Sequence, residues 1–111
     1  MRIEPHLVFA PAKQETRRTT ILRAAIDAVA ERNKRYGEPE DNFHRIALLW
    51  NAYLACRREP AAPLSSADIA IMLGQVKIAR LANDPAHEDS WVDLAGYAGC
   101  GAECMGTSTD I

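Results

Sequence analysis

Apolar residues recur along most of this chain at the three- and four-residue spacing of an α-helix, and β-branched runs are nearly absent. The spacing predicts a first helix from about Lys13 or Glu15 to Tyr36. Ile21, Leu22, Ala25, Ile26, Val29 and Tyr36 share one side of it, and Arg23, Asp27, Glu31, Lys34 and Arg35 share the other. Gly37 is a natural stop, with Pro39 beyond it. A second helix is expected from Asp41 or Asn42, either of which can cap it. Its buried face is Phe43, Ile46, Ala47, Trp50, Tyr53 and Leu54. It ends around Arg57 or Arg58, whose cations suit the negative end of the helix dipole. The prolines of Glu59-Pro60-Ala61-Ala62-Pro63 make the next connection stiff.

The third helix opens at Ser65 or Ser66 and runs to about Ala82. With Ser65 as cap, Asp68 falls at the third helical position and completes a capping box, with Asp where Glu or Gln is usual. No charge occurs from Ile69 to Val76; Ile69, Leu73 and Val76 lie on one side, Ile71 and Ile78 on the opposite side. A helix apolar all round is buried, so this one is expected at the centre of the fold or sandwiched in a homo-oligomer, a dimer being favoured. Asn83-Asp84-Pro85-Ala86 forms the turn into a fourth helix, His87 to Cys104, whose core face is Trp91, Leu94, Ala95, Ala98 and Ala102. Residues 1–12 read as an extended arm and residues 106–111 as a mobile tail. The expected architecture for residues 13–105 is a single all-α domain, a four-helix bundle.

Composition narrows the function classes. At 111 residues the chain is one domain at most. Its net charge of -2 gives no general pull toward nucleic acid, and the local basic patch of Arg17, Arg18 and Arg23 is thin. No apolar run approaches the roughly 20 residues of a membrane span, and the N-terminus does not read as a signal peptide. Three cysteines cannot all pair within one chain, so they are expected as reduced, buried or half-buried thiols in a cytoplasm. Cys56, Cys100 and Cys104 with His6, His44 and His87 make no zinc-ligand pattern.

The polar constellation that stands out flanks the second turn. Folded back on Pro85, the last two helices bring Lys77 level with Asp93 and Arg80 close to Asp89. Asp89 and Asp93 are four apart, and Lys77 and Arg80 three apart, so each pair shares a helix face. Asn42 and Tyr97 are further candidates. Two readings fit: ion pairs that set the register of the two helices, or a site in which the carboxylates hold Mg²⁺ and the cations hold phosphate. Asp27 and Glu31 are read as surface partners of Arg23 and Arg35, and Glu38, Glu40 and Asp41 as charges that suit a helix N-terminus.

Four words resemble a family of small phage and prophage proteins known only as a domain of unknown function: YGEPEDNF (Tyr36 to Phe43), Trp50, VKIARL (Val76 to Leu81) and HEDSWVDLAGY (His87 to Tyr97). The resemblance covers residues 36 to 100, and the final word is the most specific. The chain is also similar to domains associated with phage nucleotide modification. More distantly it is similar to the MazG-like all-α nucleoside triphosphate pyrophosphatases. That likeness implies a nucleotide ligand, Mg²⁺ and attack of water on a phosphoanhydride, with Asp89 and Asp93 on the second acidic helix. The first acidic pair of that superfamily, Glu-x-x-Glu, has no counterpart here; the third helix offers Gln75, Lys77 and Arg80 instead.

Overall fold

The computed structural model describes residues 14–106, with the side chains of residues 33, 35 and 36 outside the description. The expected arm over residues 1–12 and the tail beyond residue 106 lie outside it too. The described residues form four helices and no strand: α1 (Arg17–Tyr36), α2 (Pro39–Cys56), α3 (Ser66–Asn83) and α4 (Glu88–Cys104). The all-α class is therefore as the periodicity predicts.

Local chemistry explains where the helices begin and end. α1 stops where Gly37 takes a φ of 78°, a left-handed conformation that costs glycine nothing. α2 starts earlier than Asp41 or Asn42, because Pro39 occupies its first turn after an extended Glu38. Proline suits that turn, where its missing N–H would have had no intrahelical partner. Glu40 and Asp41 then fall in the first turn, where negative charge suits the dipole. The helix also ends earlier, at Cys56; Arg57 is the extended residue that caps it. α3 carries the expected capping box. The Ser65 hydroxyl accepts from the Asp68 N–H at 3.1 Å, and the Asp68 carboxylate accepts from the Ser65 N–H at 2.8 Å.

Contacts divide the chain into two compact units, with the boundary between Glu31 and Arg32. In the first, α1 carries its apolar stripe in the open: Ile21, Leu22, Ile26 and Val29 are each more than half exposed. In the second, α3 packs against both α2 and α4. Toward α2 it turns Asp68, Met72 and Gln75. The Trp50 indole N–H donates to the Met72 carbonyl at 2.8 Å, and the Gln75 amide donates to the Leu49 carbonyl at 2.9 Å. Toward α4 it turns Ala70, Gly74 and Lys77. A Cβ on Gly101 would stand 3.0 Å from the Ala70 Cβ, and one on Gly74 would stand 3.2 Å from Leu94. At 100° per residue these two faces of α3 are nearly opposite.

This placement confirms α3 as the middle helix of its unit but corrects the expectation that it is buried all round. Ala70, Met72, Ala79 and Leu81 are buried, whereas Ile69, Leu73, Ile71 and Ile78 remain 38–45% exposed. Two neighbours on opposite sides cover two faces of a helix and leave the two flanks open. The apolar faces expected elsewhere are corrected for the same reason. Phe43 and Ala47 of α2 are exposed, while Ile46, Trp50, Tyr53 and Leu54 are half-buried. On α4 the inward side is Ser90, Leu94, Tyr97 and Gly101, while Trp91, Ala95, Ala98 and Ala102 are exposed. The small residues decide this: Gly101 admits the α3 backbone closely, and a wider residue could not.

The glycines of α4 should therefore respond in opposite senses. Gly101→Val forces side-chain volume into the Ala70 contact and is expected to destabilise by about 1–3 kcal/mol. At Gly99 an added Cβ meets nothing within 4 Å. Gly99→Ala should stabilise by about 0.5–1 kcal/mol through helix propensity. Denaturant unfolding of the two variants beside the parent chain measures both signs.

Candidate functional site at the hairpin of the third and fourth helices

The turn between α3 and α4 is closed by its own polar groups. The Asp84 N–H donates to the Arg80 carbonyl at 2.8 Å and ends α3. The Asp84 carboxylate accepts from the Ala86 N–H at 3.1 Å, the Asx-type bond that favours Asp in turns. On the α4 side the Trp91 indole donates to the Pro85 carbonyl at 2.9 Å. His87 Nδ1 and the Ser90 hydroxyl lie 2.7 Å apart, which satisfies a hydroxyl that is only 1% exposed. These bonds fix how far along each helix the chain reverses, and hence which residues meet.

Lys77 and Asp93 do meet. The Lys77 ammonium lies 3.0 Å from the Asp93 carboxylate; the Lys77 side chain is 13% exposed and that of Asp93 49%. The cation is thus held in the seam while its partner's carboxylate borders solvent. Arg80 is half-buried one turn nearer the loop, and Asp89 is exposed in the first turn of α4, where its charge suits the helix N-terminus. Tyr97 is half-buried one turn beyond Asp93. Asn42 lies on α2 and is 9% exposed, with no hydrogen-bond partner for its Oδ1. The contacts of Trp50 with Met72 and Tyr53 with Asp68 set the register of α2 against α3, and that register puts Asn42 level with Ala79 and Arg80.

Two carboxylates one turn apart could offer Mg²⁺ two protein oxygens, with water and phosphate oxygens completing its octahedral shell. Among the described residues no group of three or more His, Cys, Asp or Glu side chains converges as a metal site. Cys56, Cys100 and Cys104 are free and exposed, which corrects the expectation of buried or half-buried thiols. No helix of the described residues is long and apolar enough to cross a membrane.

A second polar cluster, at the other end of α3, went unread in the sequence beyond its capping box. Asp68 accepts from the Tyr53 hydroxyl, from Arg57 at 3.1 Å, and from the backbone and hydroxyl of Ser65. Arg57 also donates to the carbonyls of Pro60 and Ala62 at 2.7 Å each, so it ties down the connection rather than serving the α2 dipole. The Tyr53 hydrogen bond, foremost, and the Ser65 N–H lower the Asp68 pKa from 3.8 to about 2. The same bond to Asp68 raises that of Tyr53. The recognisable signal was the spacing of Tyr53 and Arg57, four apart and facing a cap carboxylate.

Against known proteins, residues 20–105 match a family described as Domain of unknown function (DUF6378). The chain is similar to the Gene 55 protein of Mycobacterium phage D29, 46% identical over 70 residues, which is 63% of this chain and 42% of that protein. It is also similar to the Gene 55 protein of Mycobacterium phage L5, 37% identical over 81 residues, 72% of this chain and 49% of that protein. The matched stretch spans about half the length of these curated relatives or less. No solved structure matches the chain.

The Asp68 cluster sets an acid limit on stability. Its carboxyl is harder to protonate folded than unfolded, so the stabilisation is present above about pH 4 and is lost as pH falls toward about 2. Asp68→Asn should melt below the parent at neutral pH and should lack that part of the parent's decline between these two pH values. Thermal melts across pH 2 to 6 check the expectation.

Proposed function

This chain belongs to the DUF6378 family of domains of unknown function, and on that premise we propose that it is a phage-type module that binds a nucleotide with Mg²⁺ at the α3–α4 hairpin. Lys77 and Arg80 take the phosphates, and Asp89 and Asp93 take the metal. The observation that carries this reading is the Lys77–Asp93 contact, in which a sequestered ammonium stands beside a carboxylate that is half open to solvent. Such a carboxylate can exchange its ion-pair partner for a ligand-borne cation, and the released ammonium then faces phosphate. The similarity of HEDSWVDLAGY to phage domains, and the more distant likeness to MazG-like pyrophosphatases and their bundle, support a nucleotide as the ligand. The missing Glu-x-x-Glu leaves the metal fewer carboxylates than that superfamily supplies, so the reading commits to binding and to no turnover.

A second reading takes the same contact as a clasp, and the chain as a non-catalytic interaction module. The 3.0 Å distance between helices that must be held in register favours it. A half-exposed pair of this kind contributes about 0–1 kcal/mol.

One pair of measurements separates the two. Titration calorimetry of the intact chain with a panel of nucleoside triphosphates and Mg²⁺ is expected to show binding, at least tenfold weakened in Asp93→Ala and in Lys77→Met. Thermal melts of those variants should fall by no more than a surface pair accounts for. No binding by the parent chain, together with a lowered melting temperature in Asp93→Ala, would reject the nucleotide reading and leave the clasp.

A further inference from the structure

α4 meets α3 along Ser90, Leu94, Tyr97 and Gly101, and its two sides beyond that line differ. On one, Ala98, Ala102 and Met105 border an open apolar groove with α3. On the other, Asp89, Asp93, Cys100 and Cys104 follow one another at four- and seven-residue spacing, and so share a face. The two thiols are its least expected members. Free cysteine is among the most buried residue types, yet Cys100 and Cys104 are both free and exposed. The face around them is open: a Cβ added at Gly96 or at Gly99 would meet nothing within 4 Å.

We infer that Cys100 and Cys104 form a two-sulfur site for Cu(I), independent of the nucleotide reading. Spacing is the first argument. Residues four apart on a helix hold their Cβ atoms about 5–6 Å apart. Two metal–sulfur bonds of ~2.3 Å laid end to end span about 4.6 Å, a distance that staggered rotamers of the two side chains reach across one turn. α4 is continuous from Glu88 to Cys104, so both ligands stand on one rigid element and little freedom is lost in ordering them. The donor set is the second argument. Thiolates are soft ligands that select Cu(I), and Cu(I) is satisfied by two sulfurs, whereas a structural zinc site takes four ligands. Among the described residues no group of three or more His, Cys, Asp or Glu gathers here or elsewhere, so the pair stands as a pair. Charge is the third. α4 carries Glu88, Asp89, Asp93 and Glu103 and no Lys or Arg. Its last turn, where the helix dipole favours a cation, has no basic residue. A metal ion arriving there meets carboxylates and no competing cation. Binding needs no electron transfer: two S–H bonds break, two Cu–S bonds form, two protons leave to solvent, and copper stays in its +1 state. Cys56 ends α2 with no second thiol on its helix, and so lacks the means to form such a site.

Anaerobic titration of the intact, reduced chain with Cu(I), in competition with a coloured Cu(I) chelator, is the test. One Cu(I) per chain is expected, with the near-ultraviolet absorption of thiolate-to-copper charge transfer and the release of two protons per metal. Cys100→Ser and Cys104→Ser should each weaken binding at least a hundredfold, and Cys56→Ser should leave it unchanged. Both serines replace exposed side chains, and far-UV circular dichroism should remain that of the parent, which separates lost binding from lost folding. Light scattering should give the same mass with and without metal. A parent chain that yields copper to the chelator as readily as the Cys100→Ser Cys104→Ser double variant overturns the inference. Loss of binding in Cys56→Ser alone overturns it too. So does a mass that doubles on adding copper with one metal per two chains, because the ion then bridges copies instead of one helical turn.

Discussion

Close approach of α3 to α4 is the constraint from which the rest of this unit follows. It depends on residues without bulk: Ala70 against Gly101, and Gly74 beneath Leu94. Where backbones come this near, the side chains that would have filled the space between them are displaced to the flanks. The buried apolar set is accordingly small, Ala70, Met72, Ala79 and Leu81, and several isoleucines and leucines border solvent. The other face of α3 is held differently. There, side-chain donors on α2 and α3 reach carbonyls across the contact, and the indole of Trp50 and the amide of Gln75 each fix one helix against the other's backbone. Bonds of this kind contribute about 0.5–1.5 kcal/mol apiece, but their direction sets register in a way that apolar contact cannot.

The polar groups fall into two stations along α3. At its N-terminal end Asp68 gathers Tyr53, Arg57 and Ser65, so one carboxylate caps a helix, anchors α2 and pins the connection that joins them. Both oxygens of that carboxylate accept internal hydrogen bonds, Oδ1 from Tyr53 and Oδ2 from Arg57 and Ser65, which makes it a structural group. Toward its C-terminal end the Lys77–Asp93 pair is more open, with one partner sequestered and the other half exposed. Openness is what gives that second station scope to take a ligand: the Asp93 side chain is 49% exposed, that of Asp68 13%.

The surfaces of α3 follow the same division. The flank beside the charged hairpin mixes apolar residues with Arg80, whereas the groove toward Met105 carries no charge. A helix that reads as apolar all round thus resolves into four faces with different partners: α2, α4, a charged margin and an uncharged trough. The match to DUF6378 over residues 20–105 takes in all four.

What the chain alone determined was local. Helical periodicity, Gly37 as a stop, Ser65 with Asp68 as a start and Asp84-Pro85 as a turn placed all four helices to within a few residues, because each signal acts through neighbours in sequence. The level of Lys77 with Asp93 was legible for the same reason, since a short turn leaves two antiparallel helices little freedom to slide. The sidedness of the core was decided only in three dimensions. Trp91 has the hydrophobicity of a core residue, and it stands exposed because Gly101 and Ala70 draw α3 and α4 together along another line. Periodicity records which residues share a face; which face is covered depends on how closely two backbones can approach, and that is a property of the pair and of neither helix by itself.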